Sequence, residues 1–208
     1  MVISHKYRYV FVQTMKTAST AIAAELCEHY AGEHILAKHS TISEFREQAS
    51  DVERGYFSFA GVRNPLDVLV SRFVLRRDGR NTDDNHREQH RFIREHGGDF
   101  NAYVHEYLVR PQRPRVELGI VPRDWNSEAF ASIDFIYHYE NLQEDFSTIL
   151  SRLNIPQIRD LPSVNRTVAK TNYLDYYDDR SLQVASKLFA NYLRRFGYDQ
   201  PGHVQLQS

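Results

Sequence analysis

Residues 9–22 read Tyr-Val-Phe-Val-Gln-Thr-Met-Lys-Thr-Ala-Ser-Thr-Ala-Ile. The apolar first part predicts a β-strand, and Ile22, Leu26 and Tyr30 continue at the spacing of a helix. A strand that turns directly into a helix aims backbone N–H groups and the positive end of the helix dipole at one point. Lys16 adds a full positive charge to this turn, and its neighbours add hydroxyl groups. The stretch therefore predicts an anion-binding loop.

The turn around Lys16 contains no glycine. It therefore does not fit the G-x-x-x-x-G-K-[ST] pattern, in which glycines let the backbone approach a nucleotide phosphate. The absence of glycine argues against an ordinary nucleotide-binding loop and leaves fewer classes of anion-binding site that the loop could form.

Two further strand signals follow, at 56–62 and 135–139. The first runs into Arg63-Asn64-Pro65, where Asn64 suits a helix N-cap and Pro65 the first helical position. Repeated strand–turn–helix units predict an α/β fold with a central, mostly parallel sheet flanked by helices. Ligands of such folds bind at the carboxyl ends of the strands.

The strand of the opening stretch is predicted over 7–13, and further helix signals lie outside these units. Ser40 or Thr41 suits the cap of a short helix over 42–48, with Glu44 three residues after Thr41. Helices are also predicted around 86–95 and 99–109, after a polar loop at 78–85. A last helix carries apolar residues at helical spacing from 182 to 196, and Gly197 is expected to end it.

Size and composition set the broad class. The chain has 208 residues, 41% of them hydrophobic, and a net charge of −1. We expect one domain over residues 1–208, with a frayed tail at 200–208. The charge argues against nucleic-acid binding, and Cys27, the only cysteine, excludes an internal disulfide. No signal peptide or apolar run of about 18 residues is visible, which predicts a soluble, cytoplasmic protein without a membrane partner.

Two motifs together resemble the sulfotransferase family. Residues 13–20 resemble its 5′-phosphosulfate loop, especially in the carbohydrate-type branch, although Met15 replaces the usual proline. Residues 59–65, followed by Ser71, resemble its 3′-phosphate motif, although Val68 stands where an arginine is common. With weaker similarities later in the chain, the resemblance covers roughly residues 7–199.

This resemblance implies a P-loop-like core. It also implies a sulfotransferase that moves a sulfuryl group from 3′-phosphoadenosine-5′-phosphosulfate to a hydroxyl, or an amine, of a carbohydrate or small molecule. The product would be adenosine 3′,5′-bisphosphate, and no metal is required. The residues expected to bind the donor are Lys16, Thr17, Ala18, Ser19, Thr20, Arg63, Ser71 and Arg166. Arg166 is also compatible with simple solvent exposure.

Sulfuryl transfer needs a cation at the leaving oxygen and a base for the acceptor hydroxyl. Lys16 is expected to supply the first and His39 the second, because His39 lies where the resemblance expects a base. Glu44 and Glu140 are the alternative bases, and His39 itself is compatible with a plain capping role in a loop.

The stretch from residue 72 to 130 matches the family least, and it is the expected acceptor-side insertion. Its residues 72–123 hold eleven arginines and no lysine, against eight carboxylates. An anionic acceptor fits this bias, and so does a solvated helix face. The sequence does not indicate an oligomeric state.

Two other functions stay open. A nucleotide-dependent kinase would also need an anion loop, although the missing glycines argue against it. A non-catalytic nucleotide-binding module of the same fold is the second. Glu25 with His29 and His86 with His90 have the i, i+4 spacing of a metal pair, but such pairs occur more often as surface neighbours on a helix.

Overall fold

A computed structural model describes residues 1–79, 84–110, 130, 132–162, 172–199 and 201. The chain divides into two compact units. The first comprises Met1–Arg63 and Asp124–Arg166, and the second Asn64–Arg123 and Thr167–Ser208. The single domain expected over residues 1–208 stays a prediction.

The first unit contains a five-stranded sheet in the order β3-β1-β2-β4-β5. Its strands are β1 Val2–Ser4, β2 Tyr9–Val12, β3 Glu33–His34, β4 Phe57–Val62 and β5 Phe135–His138. The strands predicted at 7–13, 56–62 and 135–139 are confirmed, the first over the shorter range Tyr9–Val12, and β2, β4 and β5 pair in parallel. β1 pairs antiparallel with both β2 and β3. The α/β class is therefore confirmed, but the sheet is mixed rather than mostly parallel, because two short strands extend one edge.

Helices α1 Ser19–His29, α2 Ile42–Gln48, α3 Asp51–Arg54 and α7 Leu142–Arg152 belong to this unit. A buried apolar core joins the sheet to α1 and α7. From the sheet it includes Phe11 and Phe59, whose rings stack with centroids 5.0 Å apart. From the helices it includes Leu26 and Phe146, both essentially inaccessible to solvent. This core fixes the end of β2 against the start of α1, where the predicted anion loop lies.

Helix α2 begins with a capping box, as its sequence predicts. The Thr41 hydroxyl accepts a hydrogen bond from the Glu44 N–H at 3.2 Å, and the Glu44 carboxylate accepts one from the Thr41 N–H at 2.8 Å. Two helix-start N–H groups are satisfied in this way, which fixes where the helix begins. The preceding loop, which carries His39, therefore ends at a defined point.

The second unit is helical where it is described. It contains α4 Pro65–Arg77, α5 Asp84–Glu95, α6 Phe100–Val104, α8 Asp179–Leu188 and α9 Ala190–Arg195, with a π-helical turn at His105–Val109. Asn64 caps α4 by accepting from the Leu66 N–H at 3.0 Å, which confirms the predicted helix start. The helices predicted at 86–95 and 99–109 are also confirmed. Helix α5 begins at Asp84, so the last two residues of the loop predicted at 78–85 are helical, and residues 80–83 lie outside the described part.

The predicted C-terminal helix is instead two helices, α8 and α9. Phe189, with φ −96° and ψ 7°, leaves the helical region between them. Gly197 ends α9 with a φ of +70°, as predicted, and the Tyr198 N–H then bonds the Leu193 carbonyl at 2.9 Å. Of the predicted frayed tail, 200 and 202–208 lie outside the described residues.

Within the described ranges, no helix has both the length and the apolar character needed to cross a membrane. The same residues contain no group of three or more His, Cys, Asp or Glu side chains arranged to hold a metal ion.

Candidate functional site

The loop between β2 and α1 makes its turn with two left-handed residues. Lys16 has a φ of +65° and Ala18 a φ of +62°. Residues with a Cβ rarely adopt this conformation, which costs roughly 1–2 kcal/mol each, and such residues cluster at functional sites. The tight turn expected of a glycine-containing phosphate loop is therefore formed here without glycine.

Hydroxyl groups inside the loop hold its shape. The Ser19 hydroxyl donates to the Thr14 carbonyl at 2.7 Å, and the Thr17 hydroxyl lies 3.1 Å from the same carbonyl. The Thr14 hydroxyl donates to the Gly61 carbonyl at 2.7 Å and so fastens the loop to β4. Thr17 and Ser19 are 3% and 4% exposed. Two of the three hydroxyls predicted to bind phosphate thus bond to the loop itself.

The carbonyls of Lys16 and Thr17 are each held by a side chain from elsewhere in the first unit. Arg63 donates from Nη1 to the Lys16 carbonyl at 3.0 Å, and Tyr137 donates from its hydroxyl to the Thr17 carbonyl at 3.1 Å. A planar trans peptide points its C=O and N–H in opposite directions. Fixing these two carbonyls therefore fixes the opposite direction of the Thr17 and Ala18 N–H groups.

Helix α1 begins directly after this loop. Its N-cap, Ala18, makes no side-chain capping bond, and its first turn, which is fully described, carries no acidic residue. Both properties favour an anion near the helix start. Lys38 was not assigned a role from the sequence, yet its Nζ lies 2.8 Å from the exposed Thr20 hydroxyl. In the sequence, only its position beside His39 could have indicated that Lys38 lies at this loop.

Arg63 contacts the loop between β2 and α1, as expected if the two motifs bind the two ends of one donor. It is only 5% exposed, and its guanidinium lies 3.9 Å from the centre of the Tyr139 ring. Stacking and the bond to the loop fix the plane of this cation, which suits recognition of a phosphate. Ser71 is half-buried on α4 in the second unit. Arg166 lies outside the described residues.

His39 is exposed, and its Nδ1 lies 2.8 Å from the Gln13 carbonyl oxygen. A carbonyl only accepts, so Nδ1 carries the proton, and the lone pair of the neutral ring is on Nε2. The Glu44 carboxylate accepts from the Thr41 N–H instead, and Glu140 is exposed in the 3-10 turn Tyr139–Asn141. The Nδ1 contact fixes the orientation of the His39 ring, whereas the Glu44 carboxylate is engaged in the capping box of α2.

His39 also lines a small pocket of the first unit. The other lining residues are Val12, Gln13, Thr14, Ser40, Thr41, Ile42, Ala60 and Phe130. The pocket thus combines apolar side chains with hydroxyl groups beside the ring of His39.

Comparison with known proteins identifies the family. A sequence model of the sulfotransferase family matches residues 1–199. The chain belongs to the sulfotransferase family. A search of curated proteins and a search of solved structures found no significant match. Membership supports a sulfotransferase activity, with an acceptor as its second substrate.

Cationic side chains and a histidine ring lie close to the loop between β2 and α1 in this sulfotransferase. Lys16, Arg63 and Lys38 place positive charge on or beside one loop, and the ring of His39 is held by the Gln13 carbonyl. Positioning and charge stabilisation dominate such transfers, since the protein itself forms few covalent bonds.

Proposed function

We propose that this chain is a sulfotransferase that uses 3′-phosphoadenosine-5′-phosphosulfate as donor and a hydroxyl, or amine, of a carbohydrate or small molecule as acceptor. The observation that carries the proposal is the hydrogen bond from Arg63 to the carbonyl of Lys16. It joins the two motifs that the resemblance assigns to the 5′- and 3′-phosphates. Arg63 would bind the 3′-phosphate and Lys16 to Thr20 the 5′-phosphosulfate, and the resemblance adds Ser71 and Arg166 as candidate donor contacts.

Lys16 neutralises the negative charge that develops on the bridging oxygen as the sulfur–oxygen bond breaks. The loop N–H groups and the start of α1 hold the same phosphate, which becomes the leaving group. The hydroxyls of Thr17 and Ser19 contribute chiefly by keeping the loop in shape, since both bond to the Thr14 carbonyl. No metal is needed for this chemistry.

His39 accepts the acceptor's proton at Nε2 while the acceptor oxygen attacks sulfur from the side opposite the leaving oxygen. The Gln13 carbonyl holds the Nδ1–H and thereby presents the basic nitrogen. The mixed apolar and hydroxyl lining of the pocket beside His39 supports a small acceptor group that carries a hydroxyl.

The donor assignment is tested by titration calorimetry with adenosine 3′,5′-bisphosphate and with ATP. We expect the bisphosphate to bind at least tenfold more tightly, because two separate phosphate-binding motifs match its two phosphates. Tighter binding of ATP would favour the kinase. Binding of the bisphosphate without transfer from 3′-phosphoadenosine-5′-phosphosulfate to any glycan or small hydroxyl compound would favour the non-catalytic module.

For His39→Ala we expect turnover to fall by roughly 10²-fold or more, because the base is lost. Affinity for the bisphosphate should not change. The matched control is His34→Ala, which removes an exposed histidine of the same unit from the edge strand β3. Initial rates with the donor saturating would separate the two variants. Equal turnover in His39→Ala and wild type would remove His39 from the mechanism.

A further inference from the structure

We infer that Tyr137 is a positioning residue for the donor-binding loop. Its buried hydroxyl holds the Thr17–Ala18 peptide so that the Ala18 N–H is directed away from the core. This inference rests on the proposed function, because it assigns to that N–H a place in binding the donor's 5′-phosphate.

The contacts of Tyr137 all lie within the first unit. Its side chain extends from β5 and is fully buried. Its hydroxyl lies 3.1 Å from both the carbonyl and the side-chain oxygen of Thr17. Burial raises the pKa of Tyr137 above its usual value, so the phenol keeps its proton and can donate.

Donation to the Thr17 carbonyl determines the direction of the next N–H. The C=O of Thr17 and the N–H of Ala18 belong to one planar trans peptide and therefore point in opposite directions. With the carbonyl held toward Tyr137, the N–H points away from it. The Ala18 N–H makes no hydrogen bond to any residue that the structure describes. An N–H that no described residue accepts, beside a helix start and a lysine, is a donor prepared for an anion.

Gly61 leaves the space through which Tyr137 reaches the loop. A Cβ at Gly61 would overlap the Tyr137 ring and would lie 2.5 Å from its hydroxyl oxygen. Gly61 has no positive φ, so a close approach rather than backbone freedom accounts for the glycine. The ring thus crosses β4 at the one position of that strand without a side chain.

Tyr137 acts through Thr17 and not on the substrate. Because it is fully buried, it does not reach a bound donor or acceptor. Removing its hydroxyl should therefore weaken donor binding and raise KM for the donor, while KM for the acceptor stays unchanged. If Tyr137 only filled the core, removing its hydroxyl would change neither the Kd nor the KM for the donor.

The test compares Tyr137→Phe with Tyr9→Phe by calorimetry with adenosine 3′,5′-bisphosphate. Tyr9 is a matched control, because it is fully buried in the same sheet and donates to the Tyr30 carbonyl at 3.0 Å. Each variant loses a buried hydrogen bond to a backbone carbonyl, and Tyr137→Phe also loses the contact with the Thr17 side-chain oxygen. Both should therefore unfold at a lowered temperature, so that stability alone does not separate them. We expect Kd and the KM for the donor to rise about tenfold in Tyr137→Phe and to stay within twofold of wild type in Tyr9→Phe.

The outcomes separate this inference from the function on which it rests. Unchanged Kd in a folded Tyr137→Phe protein, with wild type binding the bisphosphate, would overturn the inference alone. No binding by wild type would overturn the proposed function and the inference with it.

An NMR measurement on the wild-type protein gives a second test. We expect the Tyr137 hydroxyl proton to exchange slowly enough for NMR detection, with a cross-peak to Thr17. Absence of that signal would also count against the inference.

Discussion

Lys16→Ala is expected to lower kcat by about 10³-fold, the upper range for removal of one preorganised charge stabiliser. Lysine and alanine both carry a Cβ, so the strained backbone at φ +65° is the same in both proteins. The substitution therefore tests the charge rather than the turn. Transfer from 3′-phosphoadenosine-5′-phosphosulfate at saturating donor and acceptor gives the measurement.

Lys6→Ala is the control for Lys16→Ala. The Lys6 ammonium lies 4.9 Å from the centre of the Tyr7 ring, in a turn of the same unit. Its removal should leave kcat within twofold of wild type. A loss of less than tenfold in Lys16→Ala would show that this lysine does not stabilise the leaving oxygen. It would then be a general phosphate contact, visible in Kd instead.

Gly61→Ala is expected to lower the free energy of unfolding by about 3 kcal/mol, the upper range for overpacking a core. The added methyl would overlap the ring of Tyr137, which is fully buried. Urea unfolding followed by circular dichroism would measure the change. Any folded fraction should also bind the bisphosphate weakly, because a displaced Tyr137 cannot hold the loop.

Gly55→Ala is the matched control for Gly61→Ala. A Cβ at Gly55 meets only the Val52 carbonyl oxygen, at an ordinary 3.5 Å, and the φ of Gly55 is −88°. We expect its unfolding free energy to stay within about 0.5 kcal/mol of wild type. Equal stability of the two variants would contradict the proposed fit between Gly61 and Tyr137.

The sequence predicted elements whose signals are local. Thr41 with Glu44 and Asn64 with Pro65 define two helix starts, because capping depends on residues within one turn. Strands β1 and β3 were missed, because three and two residues are too few to show a period. The break at Phe189 was missed for a different reason. Apolar residues continue through it at helical spacing.

The candidate site residues could be proposed from the sequence for the same physical reason, and their roles stay a prediction. Lys16, Arg63 and His39 lie next to strand ends or caps and carry the charge or the titratable ring that the chemistry needs. Tyr137 was missed because its partner Thr17 is 120 positions away in the chain. The left-handed turns at Lys16 and Ala18 were missed because glycine, their usual signal, is absent.

The left-handed turns at Lys16 and Ala18 have a thermodynamic consequence for ligand binding. Side chains at these positions restrict the backbone more than glycine would, so fewer loop conformations compete with the one in the structure. Much of the ordering entropy is then lost when the chain folds rather than when the anion arrives. The affinity for the anion therefore depends on the stability of the fold, because the fold keeps the loop in its binding conformation. Conditions that loosen the fold should weaken anion binding before the protein unfolds.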